Sequence, residues 1–184
     1  MDSLEFKSKI FLKRPRYANI YKDIIDALAN KGSSKTEFIQ FGPIFQIYIY
    51  VFFIGFHRNE RIPLPPGNEF SSEFLEFGKW KSDSLVQFIL MTLFSRKSDL
   101  GISSWIDLEN MDGNEIDIFI KTLITTIEEY ANAGFSYLQS RFDEDRNIFN
   151  EAFVFANILK DVIEEKEDVV NKEVEYISHL TSLI

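Results

Sequence analysis

The 184-residue sequence contains no cysteine and only two histidines, His57 and His179. The first absence excludes disulfides, thiol nucleophiles, thiolate zinc sites and cysteine-ligated iron–sulfur clusters together. The second leaves little from which to build a histidine metal site or a Ser-His-Asp relay. The glycines form neither a Gly-x-Gly-x-x-Gly nor a Walker loop, and no Gly-x-Ser-x-Gly elbow is present. Glu5-Phe6-Lys7 and Glu164-Glu165-Lys166 match the acid-x-Lys element of metal-dependent nucleases only superficially, because no strand supplies the preceding acid. No catalytic residue, metal ligand or cofactor is assigned, and the chain is expected not to be an enzyme.

Long apolar runs are also missing. The strongest, Pro43 to Phe56 (PIFQIYIYVFFIGF), has fourteen residues, whereas a bilayer span takes about 20. The first residues, MDSLEFKSKIFLKRPR, lack the apolar core of a secretory signal and carry two acids within the first five. The expectation is a soluble, cytoplasmic protein with no membrane contact. Basic charge is scarce as well. Twenty Lys/Arg face 29 Asp/Glu, and the net charge of −9 opposes general affinity for nucleic acid or anionic lipid. The distribution is uneven: residues 1–61 hold ten basic and six acidic side chains, whereas residues 62–184 hold ten and 23. A local basic patch at the start can still act within a Debye length.

What the sequence does contain is helical periodicity. Tyr17, Ile20, Tyr21, Ile24, Ile25 and Leu28 fall on one helical stripe, with Pro15 placed to open the helix and Gly32 to close it. Pro43 suits the first turn of the next element, where its missing N–H costs nothing. Residues 44–56 have strand-like composition, but their length favours a helix buried on all sides. The IPLPPG segment (62–67) reads as a rigid connector. Asn68 is placed to cap a short helix carrying Phe70, Phe74 and Phe77, with Gly78 beyond its end. Ser82 or Asp83 caps the next, with Leu85, Val86, Ile89, Leu90, Leu93 and Phe94 as its stripe. Residues 98–113 show no sustained period and read as an irregular loop.

Ile116, Phe119, Ile120, Leu123, Ile127, Tyr130, Ala131, Gly134 and Leu138 restore the helical period. A last long helix is expected from near Asn147. It presents Ala152, Phe155, Leu159 and Ile163, then Val170, Val174, Ile177, Thr181 and Ile184, with a bend or exposed stretch around residues 164–168. The fold class that follows is all-α: a single domain (1–184) of about six helices, with a central buried helix and a long C-terminal one.

Two clusters invite a functional reading. The Asp112-Gly113-Asn114 turn fails as a calcium loop: with Gly113 at the sixth position, Leu108 and Phe119 occupy ligand positions. It reads instead as a turn into a capped helix. Directly after the apolar run stand His57, Arg58, Asn59, Glu60 and Arg61. Such a group can grip a phosphate or carboxylate, or can simply form the polar end of a buried helix, where cations favour the dipole. Lys7, Lys9, Lys13, Arg14 and Arg16 form the second cluster, interleaved with Phe6, Phe11 and Tyr17. It offers phosphate contacts, a solvated face, or contacts to the chain's own acidic C-terminal half.

The basic start Lys13-Arg14-Pro15, the motif Gly55-Phe56-His57-Arg58-Asn59-Glu60-Arg61-Ile62-Pro63-Leu64, and Glu129-Tyr130-Ala131-Asn132-Ala133-Gly134 occur in that order. In these features the chain resembles the small Dnd (DNA phosphorothioation) system-associated proteins, accessory proteins encoded beside bacterial DNA sulfur-modification and restriction genes. The resemblance covers roughly residues 10–140; within the domain, 1–146 is the family-like core and 147–184 a helical extension. It implies an anti-phage or DNA-modification setting and a non-catalytic accessory role, and carries over no catalytic residue. The leading expectation is an interaction protein that docks on larger proteins of such a complex, or on a second copy of itself. The alternative is direct DNA contact. Either way the candidate binding residues are Lys13, Arg14, Arg16, His57, Arg58 and Arg61. A hydrolase built on His57 ranks below both.

Overall fold

The computed structural model describes residues 3–30, 38–81 and 83–165. Its helices are α1 (Ser3–Phe11), α2 (Lys22–Leu28), α3 (Ile44–Arg58), α4 (Asp83–Phe94), α5 (Trp105–Asn110) and α6 (Gly113–Glu144). A further helix, α7, covers residues 154–165. The architecture is all-α, with the strand content among the described residues confined to two minimal pairs. Strands β1 (Arg16–Ala18) and β4 (Ser71–Glu73) pair antiparallel, whereas β2 (Ala29–Asn30) and β3 (Gly42–Pro43) pair parallel.

Helix α3 is the axis of the core. Pro43 precedes it, and Phe45, Ile47, Tyr48, Ile49, Tyr50, Val51, Phe52, Ile54 and Gly55 are all buried, so burial on every side overrides the strand-like composition. Its two buried tyrosines stay satisfied by reaching outward: Tyr48 donates to the carbonyl of Arg16 (3.0 Å) and Tyr50 to that of Phe155 (2.8 Å). Asn59, at φ 57°, ends the helix in the left-handed conformation.

Helix α6 is the other half of the core. Asp112 and Glu115 close a capping box over its first turn, and its buried face follows the expected stripe from Ile116 to Leu138, extending to Phe142. The two long helices meet backbone to backbone. A Cβ placed on Gly55 would collide with the carbonyl of Tyr130, and one on Gly134 with that of Val51. These two glycines set the spacing of the bundle.

Several local expectations are corrected. Pro15 does not open a helix. Residues 16–18 are strand β1, a 3-10 turn follows at Asn19–Tyr21, and α2 begins only at Lys22. The helical spacing from Tyr17 is overridden by long-range pairing: β4 lies alongside, the Phe74 N–H donates to the Pro15 carbonyl (2.7 Å), and the Glu128 carboxylate accepts the Arg16 N–H (2.8 Å). Ile20, placed on the apolar stripe, is 75% exposed. Gly32 and Ser82 lie outside the described residues. The helix expected after Asn68 is a 3-10 turn (Asn68–Phe70), strand β4, and a second 3-10 turn (Phe77–Lys79). The loop expected over 98–113 contains α5, closed by a Ser104/Asp107 capping box.

The C-terminal helix starts later than expected. A 3-10 turn occupies Arg146–Asn150, and Phe153, at φ 69°, precedes α7. Its core face is Val154, Ile158 and Val162, with Phe155 and Leu159 half-buried, while Ile163 is largely exposed and Ala152 is exposed. These residues and Phe149 join the same core that begins at Ile10, so the described part of the extension is integral to the bundle. The continuation through 166–168 and the stripe beyond lie outside the described residues.

Candidate functional site

The C-terminal end of α3 is where sequence places half of the candidate residues. His57 sits half-buried in the last turn. Arg58 lies over the Tyr137 ring (4.4 Å to the centroid), grips Glu60 through Nε (3.2 Å) and Nη2 (2.9 Å), and pairs with Glu165 of α7. Tyr137 also donates to Glu165 (3.0 Å). Burial first, then that hydrogen bond, pushes its hydroxyl up to about 12.

The connector after Glu60 runs along α6. The Ile62 N–H donates to the Glu129 carbonyl (3.1 Å), and Asn132 Nδ2 donates to the carbonyls of Ile62 and Pro63 (3.2 Å each). Arg61 is thereby held against the Glu129 carboxylate (Nε–Oε2 2.8 Å). Arg96, which the sequence did not single out, completes the cluster. It stacks on Phe56 (3.7 Å) and donates to Asn59 Oδ1 (2.7 Å) and the Tyr130 hydroxyl (3.1 Å), while Tyr130 donates to Asp99 (2.5 Å). Burial, and then the donation to Asp99, raises the Tyr130 hydroxyl above its ordinary range.

The N-terminal candidates lie elsewhere, around β1 and β4. Arg14 pairs with Glu73 (3.1 Å) and Glu76 (3.6 Å). Arg16 donates to Asn68 Oδ1 (3.2 Å) and the Ser71 carbonyl (3.5 Å), and Lys13 is exposed. Lys7 and Lys9 reach Asp83 (3.5 Å) and Asp117 (2.9 Å). The two sets approach each other at α6, where Glu128 accepts the Arg16 main-chain N–H and its neighbour Glu129 holds Arg61. Burial raises the Glu128 carboxyl to about 7 against the opposing pull of Arg16. The contact between basic start and acidic C-terminal half, one of the three readings of that cluster, is therefore present in Lys9–Asp117. Arg58 and Arg61 at the α3 end are likewise held by carboxylates of their own chain.

A different surface lies on α4. From Ser84 to Ser95 (SLVQFILMTLFS) the sequence carries no charged residue. Val86, Ile89, Leu90 and Leu93 turn into the core as expected, but Phe88 (55% exposed) and Met91 (70% exposed) face out. Phe88 packs in a tilted arrangement on the half-buried Phe53 of α3 (5.2 Å between centroids), and Phe53 lines a groove of about 370 Å³ between α3, α4 and α7. Phe41, Ile49, Tyr50, Phe53, Leu85 and Leu159 line it, with Gln46 as its polar member. The signal was present in the sequence: Phe88 and Met91 interrupt what would otherwise be the polar face of an amphipathic helix.

Comparison with protein-family models, with curated proteins and with solved structures gives no match to this chain. Among the described residues no group of acidic or histidine side chains is arranged to hold a metal ion, and no helix is long and apolar enough to cross a membrane.

Proposed function

We propose that this protein is a non-catalytic interaction module, working in the cytoplasm as an accessory to a DNA-modification or anti-phage complex and docking on one of its larger proteins. The setting rests on the resemblance of the Gly55–Leu64 and Glu129–Gly134 motifs to the Dnd-associated proteins. The docking role rests on one observation, the uncharged outer face of α4, where Phe88 and Met91 are exposed and Phe88 packs on Phe53, a lining residue of the apolar groove. Scattered apolar side chains on a surface are ordinary. A charge-free helix face continuous with a groove is different, because burying it against a partner removes apolar area from water without desolvating an ion.

The alternative, direct contact with DNA through Lys13, Arg14, Arg16, Arg58 and Arg61, requires Arg14, Arg58 and Arg61 to exchange their present carboxylates for phosphates. That exchange forfeits part of the counterion-release gain that drives such binding. Size-exclusion chromatography with light scattering, on the protein alone and mixed with the products of neighbouring phosphorothioation and restriction genes, tests the proposal. Co-elution with one of them at defined stoichiometry supports it. A strict monomer that retains none of them, yet binds duplex DNA with steep salt dependence, replaces it with the alternative.

A further inference from the structure

We propose that the apolar groove between α4 and α7 is a docking site for the chain's own residues 176–184, which a partner must displace to use that surface. The proposal rests on the docking reading of α4 and adds the regulation of the same region.

The groove has the form of a slot along one helix. α6 covers one side of α3, where Gly134 meets Val51 and Gly55 meets Tyr130. On the other side Gln46, Ile49, Tyr50 and Phe53, at i, i+3, i+4 and i+7, make the floor, with Leu85 of α4 and Leu159 of α7 as walls. The α7 wall continues in the half-buried Phe155 and the 46% exposed Ile163, four residues to either side of Leu159. None of the lining residues is charged, and the Tyr50 hydroxyl is already bonded to the Phe155 carbonyl.

The sequence supplies a segment that matches. Of the residues after Glu165, every Asp, Glu and Lys falls within 166–175, whereas 176–184 (YISHLTSLI) has none and no Arg. Ile177, Leu180, Thr181 and Ile184 repeat the spacing of the floor. Covering the groove with them desolvates no ion. Glu165 fixes the point of departure, because its pair with Arg58 holds the end of α7 at the C-terminal end of α3. From Arg58 back to Gln46 is about 18 Å of helix, and residues 166–175 can span up to about 33 Å. Residues 176–184 therefore reach the whole groove. Their tether gives them a local concentration on the order of mM, against which a separate chain has to compete.

Because the chain has no cysteine, Ser182→Cys in the full-length protein gives a nitroxide spin label a single point of attachment. The label is expected to broaden the methyl NMR signals of Ile49, Leu85 and Leu159 and to spare Ile118 on α6. The same label on a mixed-in, NMR-silent copy should broaden none of them. Ile177→Glu with Leu180→Glu should abolish the broadening while the core signals of Ile10 and Leu123 stay in place. That variant should also retain the partner about tenfold more tightly, the factor for a groove otherwise open about a tenth of the time. Sharp groove signals in the labelled chain overturn the proposal. Broadening from the mixed-in copy overturns it too and assigns the groove to a second copy, and unchanged partner retention by the glutamate variant removes the competition. Sharp signals in a protein that retains its partner remove this inference alone. Broadening in a protein that retains no partner, with or without the glutamates, removes the docking reading of α4 and leaves the groove contact standing.

Discussion

The end of α3 and the outer face of α4 sit close together, bridged by Phe56, Arg96 and the Phe53–Phe88 contact, yet they solve opposite problems. The end of α3 gathers Arg58, Arg61 and Arg96 and gives each an internal counterpart: Glu60 and Glu165, Glu129, and the Phe56 ring with Tyr130. The α4 face has no charge to neutralise and leaves Phe88 and Met91 in water. In this molecule charge closes a surface, because opposite charges are available within the chain. Missing charge leaves a surface open, because none of the described residues covers Phe88 and Met91.

Both regions hang on the α3–α6 crossing, so the largest effect comes from breaking that. Gly134→Ala places a methyl against the Val51 carbonyl and is expected to cost about 3 kcal/mol in urea unfolding, the upper range for overpacking a rigid contact. An unchanged midpoint would mean that the helices do not meet at these glycines. Next, Phe88→Glu with Met91→Glu should weaken partner retention by at least about 30-fold, the scale of a lost hot spot, with little change in Tm because both side chains are exposed. Charge reversal at Arg58 and Arg61 should instead lower Tm and leave retention within about threefold. The reverse pattern would exchange the roles of the two regions.

Glu128 sharpens the contrast through pH. Its folded carboxyl titrates near 7 instead of the ordinary 4.5, so between those values the folded state holds a proton that the unfolded chain has released. Its contribution is full below pH 4.5 and is lost as pH rises through 7. Glu128→Gln, which keeps an oxygen for the Arg16 N–H, should therefore raise stability at pH 8 by about 1–3 kcal/mol and flatten the Tm–pH curve across that window. A variant less stable than wild type at pH 8 would show that the charged form is the favoured one. The smallest effect is at Arg61 and Glu129. A double-mutant cycle should give a coupling of about 0.5–1 kcal/mol that shrinks with added salt, as for a partly exposed pair.

The parts of this fold that sequence makes legible are those fixed by neighbours along the chain. Pro43 and the apolar run define α3, and the Asp112-Gly113-Asn114 turn announces α6. The helical spacing at Tyr17–Leu28 misleads because the deciding partners of Arg16–Ala18 are β4 and Glu128, which are remote in sequence. The frame of α7 is offset because Phe155 and Leu159 fit the period but sit at the edge of the face that Val154, Ile158 and Val162 bury. At the candidate site, sequence leaves the cations open between a grip on a phosphate or carboxylate and the polar end of a buried helix. It cannot reveal that Glu129 and Glu165 would reach back to them over 68 and 107 positions. The charge-free stretch from Ser84 to Ser95 was in plain view, and only the outward direction of Phe88 and Met91 gives it meaning.

The salt dependence of association with the retained partner tests the central claim most directly. Calorimetric titration at about 50 mM and at about 500 mM NaCl should give affinities within about threefold of each other, as expected when no net ion pairs form on binding. A double-logarithmic slope of about −3 or steeper would show that the arginines leave their internal carboxylates to make the contact, and would contradict the account.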